Sequence, residues 1–348
     1  MNTTNKFYYD LCEKDIYTSW VPAILVYFCG VVGNFIALIL LWINRNEHKW
    51  KSFYKLYTGL AITDFLGIFL VYPFVAARYA SVFTWCYPKP VCQFVSFIFV
   101  DAHISGALLI CAMSLDRYIN LVCPQRLNAR SEGLRYTLIL CGIWFGASVF
   151  SLLHLVGVGD SQLFYPGSWC YFNFVGHDLG NQVMSFMYSI LGAIIILVTL
   201  VSNTLTIWRT CRDPVEVGIL LDARSVSGYY ESHVVMFIVT ISVLFFVLWT
   251  PLLVDVFLHA IEVQTNNESL ELWFVRMTVL NAIVDPWIYI VLRRDSLRKI
   301  GEMFQRCSTC CSGNTNRDES ERESLIDNRI REEPNNTDQF YYNTIYCF

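Results

Sequence analysis

Charge is what this sequence has least of. Only 16% of its 348 residues are Asp, Glu, Lys or Arg, where a soluble domain carries about 25%. Hydrophobic residues make up 55%, and mean hydropathy is +0.43. That balance points to a membrane protein. A surplus of one sign is also missing. The 25 basic and 29 acidic residues leave a formal net charge of −4, which argues against nucleic acid as a partner. The 13 cysteines do not form paired CxxC motifs at zinc-site spacing, so no metal or other cofactor is expected. Without a nucleophile–base pair or a nucleotide-binding loop, an enzyme is not expected either. No internal repeat is visible, and a transporter built from inverted repeats would show one. Residues 1–19 lack the apolar core of a secretory signal peptide. The first apolar run is therefore expected to act as a signal anchor itself.

What the chain does have is long apolar runs. Seven stretches lie near 20–43, 52–77, 91–122, 134–157, 182–208, 232–261 and 271–292. Each is close to the roughly 20 residues that a helix needs to cross a bilayer. Pro22, Pro73, Pro251 and Pro286 fall inside them, which membrane helices tolerate. The fold class is therefore an all-α seven-helix bundle over 20–292. Lysine and arginine sort the connections. Lys6, Lys14, Arg78 and Lys89 fall on one side. Arg45, Lys49, Lys51, Lys55, Arg126, Arg130, Arg135, Arg209, Arg212, Arg224 and the basic run from Arg293 to Arg306 fall on the other. The basic side is cytosolic, so residues 1–19 are extracellular. Glycosylation acceptors at Asn2 and Asn267 fall outside in that arrangement. Residues 293–306 form an amphipathic segment in which Ile300, Met303 and Phe304 share a face, an eighth helix on the inner leaflet. Cys307, Cys310 and Cys311 follow; they are either palmitoylation sites or plain thiols. Residues 307–348 are polar and are expected to be a disordered cytoplasmic tail.

Polar residues recur within the apolar runs at telling places. Asn34 ends GVVGN, Asp64 ends LAITD, and SLDRY carries Asp116, Arg117 and Tyr118. Trp144 lies in the fourth run, Trp249 and Pro251 in LWTP, and Asp285, Pro286 and Tyr289 in DPWIY. In order and spacing this set resembles the rhodopsin-like (class A) G-protein-coupled receptors, from about residue 20 to 306. The resemblance implies a plasma-membrane receptor that passes ligand binding to a heterotrimeric G protein, with arrestin and receptor kinases acting at the tail. It implies a disulfide between Cys92 and Cys170; Cys12 and Cys86 are the other outside cysteines and a candidate second bridge. Cys29, Cys111, Cys123, Cys141 and Cys211 are expected to be free. It implies an activation switch of Asp116, Arg117, Tyr118, Glu231, Trp249, Pro251, Asp285, Pro286 and Tyr289. Arg117 and Glu231 would be a latch that breaks when the sixth helix swings out; the alternative is a surface pair of little energy. Asn34, Asp64, Asn281 and Asp285 would converge on a polar core. In the family this core binds sodium, but Gly106 stands where a serine is usual. A shared proton or a purely structural knot remains open.

The ligand class narrows by what is absent. Phe99 stands where amine receptors carry aspartate, and Val279 where opsins carry the retinal lysine. The loop LVGVGDSQLFYPGSWCYF and the segment WFVRMTVLNAIVDPWIYI resemble the prostanoid (prostaglandin and thromboxane) receptors more closely. Arg276 then falls on the arginine that grips the ligand carboxylate, and Tyr79 on its tyrosine. Ser168 stands for the loop threonine, beside Trp169. Arginine's planar fork suits a carboxylate, so a prostaglandin E-like or other eicosanoid acid is the expected ligand, among membrane lipids. Retention of Trp249 leans coupling to Gq or Gi over Gs. The third run ends in Asp116-Arg117-Tyr118 and not in the prostanoid group's own pattern, which departs from the likeness. Three readings of Arg276 stay open: capture of a ligand carboxylate, an internal pair with Asp255, or snorkelling to the headgroups. His103 and His259 are expected to be hydrogen-bonding residues, not metal ligands. Other outcomes are a receptor for another anionic lipid or a peptide, or a constitutively active receptor. No oligomeric state can be read.

Overall fold

The computed structural model of the chain describes residues 19–43, 51–122, 132–212, 228–263 and 267–292. Seven helices run through them: α1 (Val21–Ile43), α2 (Lys51–Ala80), α3 (Lys89–Val122), α4 (Glu132–Leu152), α5 (Leu179–Arg212), α6 (Gly228–Ala260) and α7 (Glu268–Leu292). All seven include a span long and apolar enough to cross a membrane. Between α4 and α5 a hairpin forms from β1 (Ser161–Phe164) and β2 (Trp169–Phe172). The amphipathic segment 293–306, the tail with Cys307, Cys310 and Cys311, and the acceptor Asn2 lie outside the described residues, as do Cys12 and Cys123.

The helices form because lipid offers no partner to a backbone N–H or C=O, so each run must satisfy its own. Their side chains are sorted in reverse of a soluble bundle. Phe28 and Phe35 of α1, Leu134 and Phe145 of α4 and Ile194 and Leu197 of α5 are exposed. Asn34, Asp64, Ser105, Asp116, Arg117 and Asp285 are buried. Where helices touch most closely, small residues sit. A Cβ on Gly30 would meet Ile68 at 2.3 Å, and one on Gly192 would meet Leu253 at 2.3 Å. Such contacts drive helix association where the hydrophobic effect is absent. Pro73, Pro251 and Pro286 lie inside helices. Pro22 instead occupies the first turn of α1, where its missing N–H costs nothing.

Several boundaries differ from the apolar runs, and three of them shape the end of the bundle that carries the hairpin. The fourth run continues to 157, but α4 ends at Leu152. Val158 N–H donates to the Leu153 carbonyl at 3.1 Å, and Gly157 adopts φ +108°, the left-handed turn that glycine makes cheaply. This carries the chain into the hairpin. α5 starts three residues early, at Leu179. α7 starts at Glu268, capped by the exposed Asn267, whose Oδ1 accepts from Leu270 N–H at 3.3 Å.

Candidate ligand site and switch

The hairpin is a lid. It is antiparallel with Leu163 opposite Cys170, and its turn contains a cis Tyr165–Pro166 bond. Cys170 pairs with Cys92 at the start of α3, Cα–Cα 5.4 Å. Cys86 is disulfide-bonded too. Arg78, at the end of α2, is fully buried and holds the lid from the other side. Its guanidinium donates to the Gly167 carbonyl at 3.0 Å, to Phe83 O at 2.5 Å and to the Trp85 carbonyl. Val82 and Phe83 both have positive φ, 51° and 61°, so this arginine stabilises a turn that L residues seldom adopt. Tyr87 closes the same seam, its hydroxyl donating to the Ser168 carbonyl at 2.9 Å.

Pinned in this way, the lid carries its rings down into the bundle. Tyr171, Phe172 and Phe174 are essentially unexposed. Phe174 lies 5.6 Å from the His259 ring and Phe172 5.2 Å from Tyr188. Burial, and Tyr188 beside it, push the Tyr171 hydroxyl well above its ordinary value, so it remains protonated and able to donate. Beneath these rings is a cavity of about 50 Å³. Tyr72, His103 and Trp249 line its upper part; Asp64, Gly106 and Asn281 line its lower part. Small-molecule pockets measure roughly 300–1,000 Å³, so the lid in its present position leaves room for waters only. A separate groove of about 450 Å³ lies between α6 and α7, lined by Val247, Pro251, Val254, Leu258 and Phe274 and reaching Asp255. Val247 and Val254 are about half exposed there.

The predicted ligand residues are all at the lid end of the bundle but do not meet as one cluster. Ser168 and Trp169 are buried within the lid; the Trp169 ring stacks on Phe164 at 4.6 Å, and its N–H donates to the Tyr165 carbonyl. Tyr79 packs edge-on to Phe83 at 5.1 Å. Arg276 is half-buried, with its guanidinium 6.0 Å from the Trp273 ring. Among the described residues it makes no hydrogen bond and no ion pair. Tyr72, buried on α2, lies within electrostatic reach of both Arg276 and Tyr79. Sequence reasoning passed over it, because a tyrosine in an aromatic-rich helix carries no distinguishing mark.

Asp255 is not the partner of Arg276. It sits one turn before His259 on α6, with Oδ1 3.9 Å from His259 Nε2. Glu271 of α7 approaches the same nitrogen at 3.6 Å. All three are buried. The i, i+4 spacing aims Asp255 and His259 the same way, towards the start of α7, so the carboxylate faces its own helix neighbour at a distance longer than a hydrogen bond.

Deeper in the bundle lie Asn34, Asp64, Asn281 and Asp285. Asn34 Nδ2 donates to the carbonyls of Gly30 at 3.0 Å and Ala282 at 2.9 Å. Asn281 Nδ2 donates to Asp285 Oδ2 at 3.4 Å. Among the described residues, Asp64 Oδ2 and Asp285 Oδ1 are buried without a hydrogen-bond partner. Two such oxygens in an apolar bundle are costly unless a cation, a proton or water completes them.

The rhodopsin-family model of seven-transmembrane receptors matches residues 33–289. This chain belongs to that family. Among its relatives, the mouse (Mus musculus) prostaglandin E2 receptor EP4 subtype is 29% identical, over 86% of this chain and 66% of its own length. This receptor therefore spans just under two thirds of that relative. The rat (Rattus norvegicus) thromboxane A2 receptor is 30% identical, over 80% of this chain and 84% of its own length. The receptor thus resembles the prostanoid group of class A G-protein-coupled receptors. The fold matches squid rhodopsin with a TM-score of 0.69 at 18% identity, covering 96% of this chain and 94% of that one. It is a multi-pass protein of the plasma membrane, and its relatives are receptors, not enzymes.

At the end of the bundle opposite the lid, Arg117 Nη2 donates to Asp116 Oδ2 at 2.7 Å, and Tyr136 donates to the other carboxylate oxygen. The guanidinium lies 5.4 Å from the Phe53 ring. Tyr118 is half-buried beside it. The side chain of Glu231 is outside the described residues, so the latch has only its Asp116–Arg117 half in view. Tyr289 packs on Tyr57 at 4.8 Å, and the Tyr57 hydroxyl donates to the Asp285 carbonyl at 3.3 Å. Trp249 is buried against Phe245, ring centroids 4.9 Å apart. Cys29, Cys111 and Cys141 are free thiols.

Proposed function

We propose that this receptor binds an eicosanoid carboxylic acid of the prostanoid type and passes the event to a heterotrimeric G protein, with Gq or Gi favoured over Gs. The observation that carries this is Arg276. It is a half-buried cation in a membrane helix with no hydrogen bond or ion pair among the described residues. Asp255, the internal rival for it, faces His259 instead. A guanidinium left in that condition is a site for an anion arriving with a ligand. Tyr72 would supply a neutral donor within reach of it, and Tyr79 and the lid residues Ser168 and Trp169 would come to the acid as the site closes on it. The names of two relatives, prostaglandin E2 and thromboxane A2 receptor, agree with this ligand class.

Ligand occupancy requires the lid's rings to withdraw, since the cavity beneath them is too small for a twenty-carbon acid. The groove between α6 and α7 would give a lipid a sideways approach from the bilayer. Asp64 and Asp285 with their two unpartnered oxygens would hold a cation or share a proton, and Arg117 would be freed as α6 moves. A second reading, signalling without a ligand, is favoured by one observation: Tyr171, Phe172 and Phe174 are buried at the mouth of the bundle, and the cavity lined by His103 and Trp249 is only about 50 Å³.

The test is a panel of eicosanoid acids on cells expressing the wild type and Arg276→Ala, read by cyclic AMP and calcium. Activation of wild type by one acid, lost in the variant, supports the proposal. Equal activation of both defeats carboxylate capture. No activation, with signalling above that of untransfected cells, supports the second reading.

A further inference from the structure

A line of hydrogen bonds joins the lid to the interior of the bundle. Thr278 Oγ1 of α7 lies 3.3 Å from His103 Nε2 of α3. His103 Nδ1 lies 3.1 Å from the Tyr171 hydroxyl of the lid. Tyr171 donates to the Tyr188 hydroxyl of α5 at 3.0 Å, and Trp249 Nε1 of α6 donates to that same oxygen at 3.1 Å. Five side chains from five elements are linked, and four of them are buried. One end stands two residues from Arg276 on α7. The other is the indole at the bend of α6, two residues before Pro251.

We infer that Tyr171 is a positioning residue for activation: through Tyr188 it holds the Trp249 indole, so that movement of the lid is felt at α6. The proton count makes the line a two-arrangement element. A neutral imidazole offers one N–H. If His103 donates to Tyr171, then Tyr171 donates onward to Tyr188. If His103 instead donates to Thr278, Tyr171 turns its hydrogen back to the imidazole and Tyr188 loses a donor. The structure holds the first arrangement, with Tyr171 donating to Tyr188, and the second is open to it because the Thr278 hydroxyl, donating to the Val275 carbonyl at 2.7 Å, keeps its oxygen free to accept. A ligand that shifts α7 at Arg276, or lifts the lid, changes which arrangement is available.

A buried polar line can also exist only to satisfy its own members. The two cases differ in how substitutions combine. Tyr171→Phe and Tyr188→Phe keep both rings and their packing, and remove only hydroxyls. In the relay, each raises basal, ligand-free GTPγS exchange in a co-reconstituted G protein by about three- to tenfold, the size of one buried hydrogen bond. The double variant then exchanges no faster than the faster single one. In a Trp249→Phe background, which lacks the indole N–H, Tyr171→Phe has no further effect. Thermal unfolding of each purified receptor confirms that it is folded. Effects that multiply, or persist without the indole, overturn the inference, as does unchanged exchange in folded single variants. Because no ligand is added, failure of the eicosanoid reading leaves this result intact.

Discussion

A single arginine was the loudest feature of the sequence, because a fixed charge in an apolar helix is expensive at any pH. What it faces could not be read. Asp255 and Arg276 are 21 positions apart on neighbouring helices, and only the geometry shows Asp255 turned to His259, 3.9 Å away. Arg276→Ala is expected to weaken activation by a carboxylic eicosanoid by roughly 10- to 100-fold, the worth of one charge-assisted bond, while the methyl ester of that ligand loses little. Arg276→Lys keeps the charge but not the fork, and should recover only part of the potency. Dose–response curves for acid and ester on both variants check this. Tyr72, whose position sequence reading did not mark, gives a smaller prediction. Tyr72→Phe removes one neutral donor and should shift potency by about three- to tenfold. No shift in a competition assay would remove it from the carboxylate site.

Helices were legible as elements because the bilayer sets their length; the lid was not. Its strands are four residues each, and nothing in SQLF or WCYF separates them from the surrounding loop until Cys170 is tied to Cys92. Arg78 was read only as an outside charge, yet it is fully buried and bonds three carbonyls. Arg78→Ala leaves those acceptors without it and should cost about 3 kcal/mol or more of stability, seen as a lower unfolding temperature and reduced surface expression. Arg78→Lys should rescue little, since one ammonium cannot span three fixed acceptors. The far side of the lid predicts a pH effect. His154, just past α4, is buried with Nε2 2.9 Å from Ser96 Oγ, and burial pushes it down to about 4 from an ordinary 6.5. Its folded value is depressed, so the unfolded chain takes up the proton first as pH falls. Stability is full above 6.5 and is lost below it, by about 2 kcal/mol at pH 5. His154→Gln should flatten that slope between pH 7 and 5. A slope unchanged in the variant would assign it to other groups.

Across the whole receptor the outer and inner ends are joined by the core that Asp64 and Asp285 share, and here the sequence posed a question that the geometry sharpens. The family resemblance pointed to sodium, and Gly106 took away the usual serine hydroxyl. The structure shows the cavity reaching from His103 and Trp249 down to Asp64 and Asn281, with Asp64 Oδ2 and Asp285 Oδ1 unpartnered. It also shows room to restore what is missing. A Cβ on Gly106 would lie 3.8 Å from Leu60 Cδ1 and 4.0 Å from Asp64 Oδ1, both ordinary contacts. Gly106→Ser should therefore fold, helped by about 0.5 kcal/mol of helix propensity, and should add one oxygen beside Asp64. If a cation completes the core, it stabilises whichever global state holds it more tightly, by linkage. Sodium should then shift agonist affinity weakly in wild type and more strongly in Gly106→Ser, and Asp64→Asn should abolish the shift in both. If the two carboxylates share a proton instead, sodium has no purchase in either protein, and agonist affinity follows pH and not salt. Agonist competition in sodium chloride against choline chloride, at two pH values, separates the two cases for the same pair of receptors.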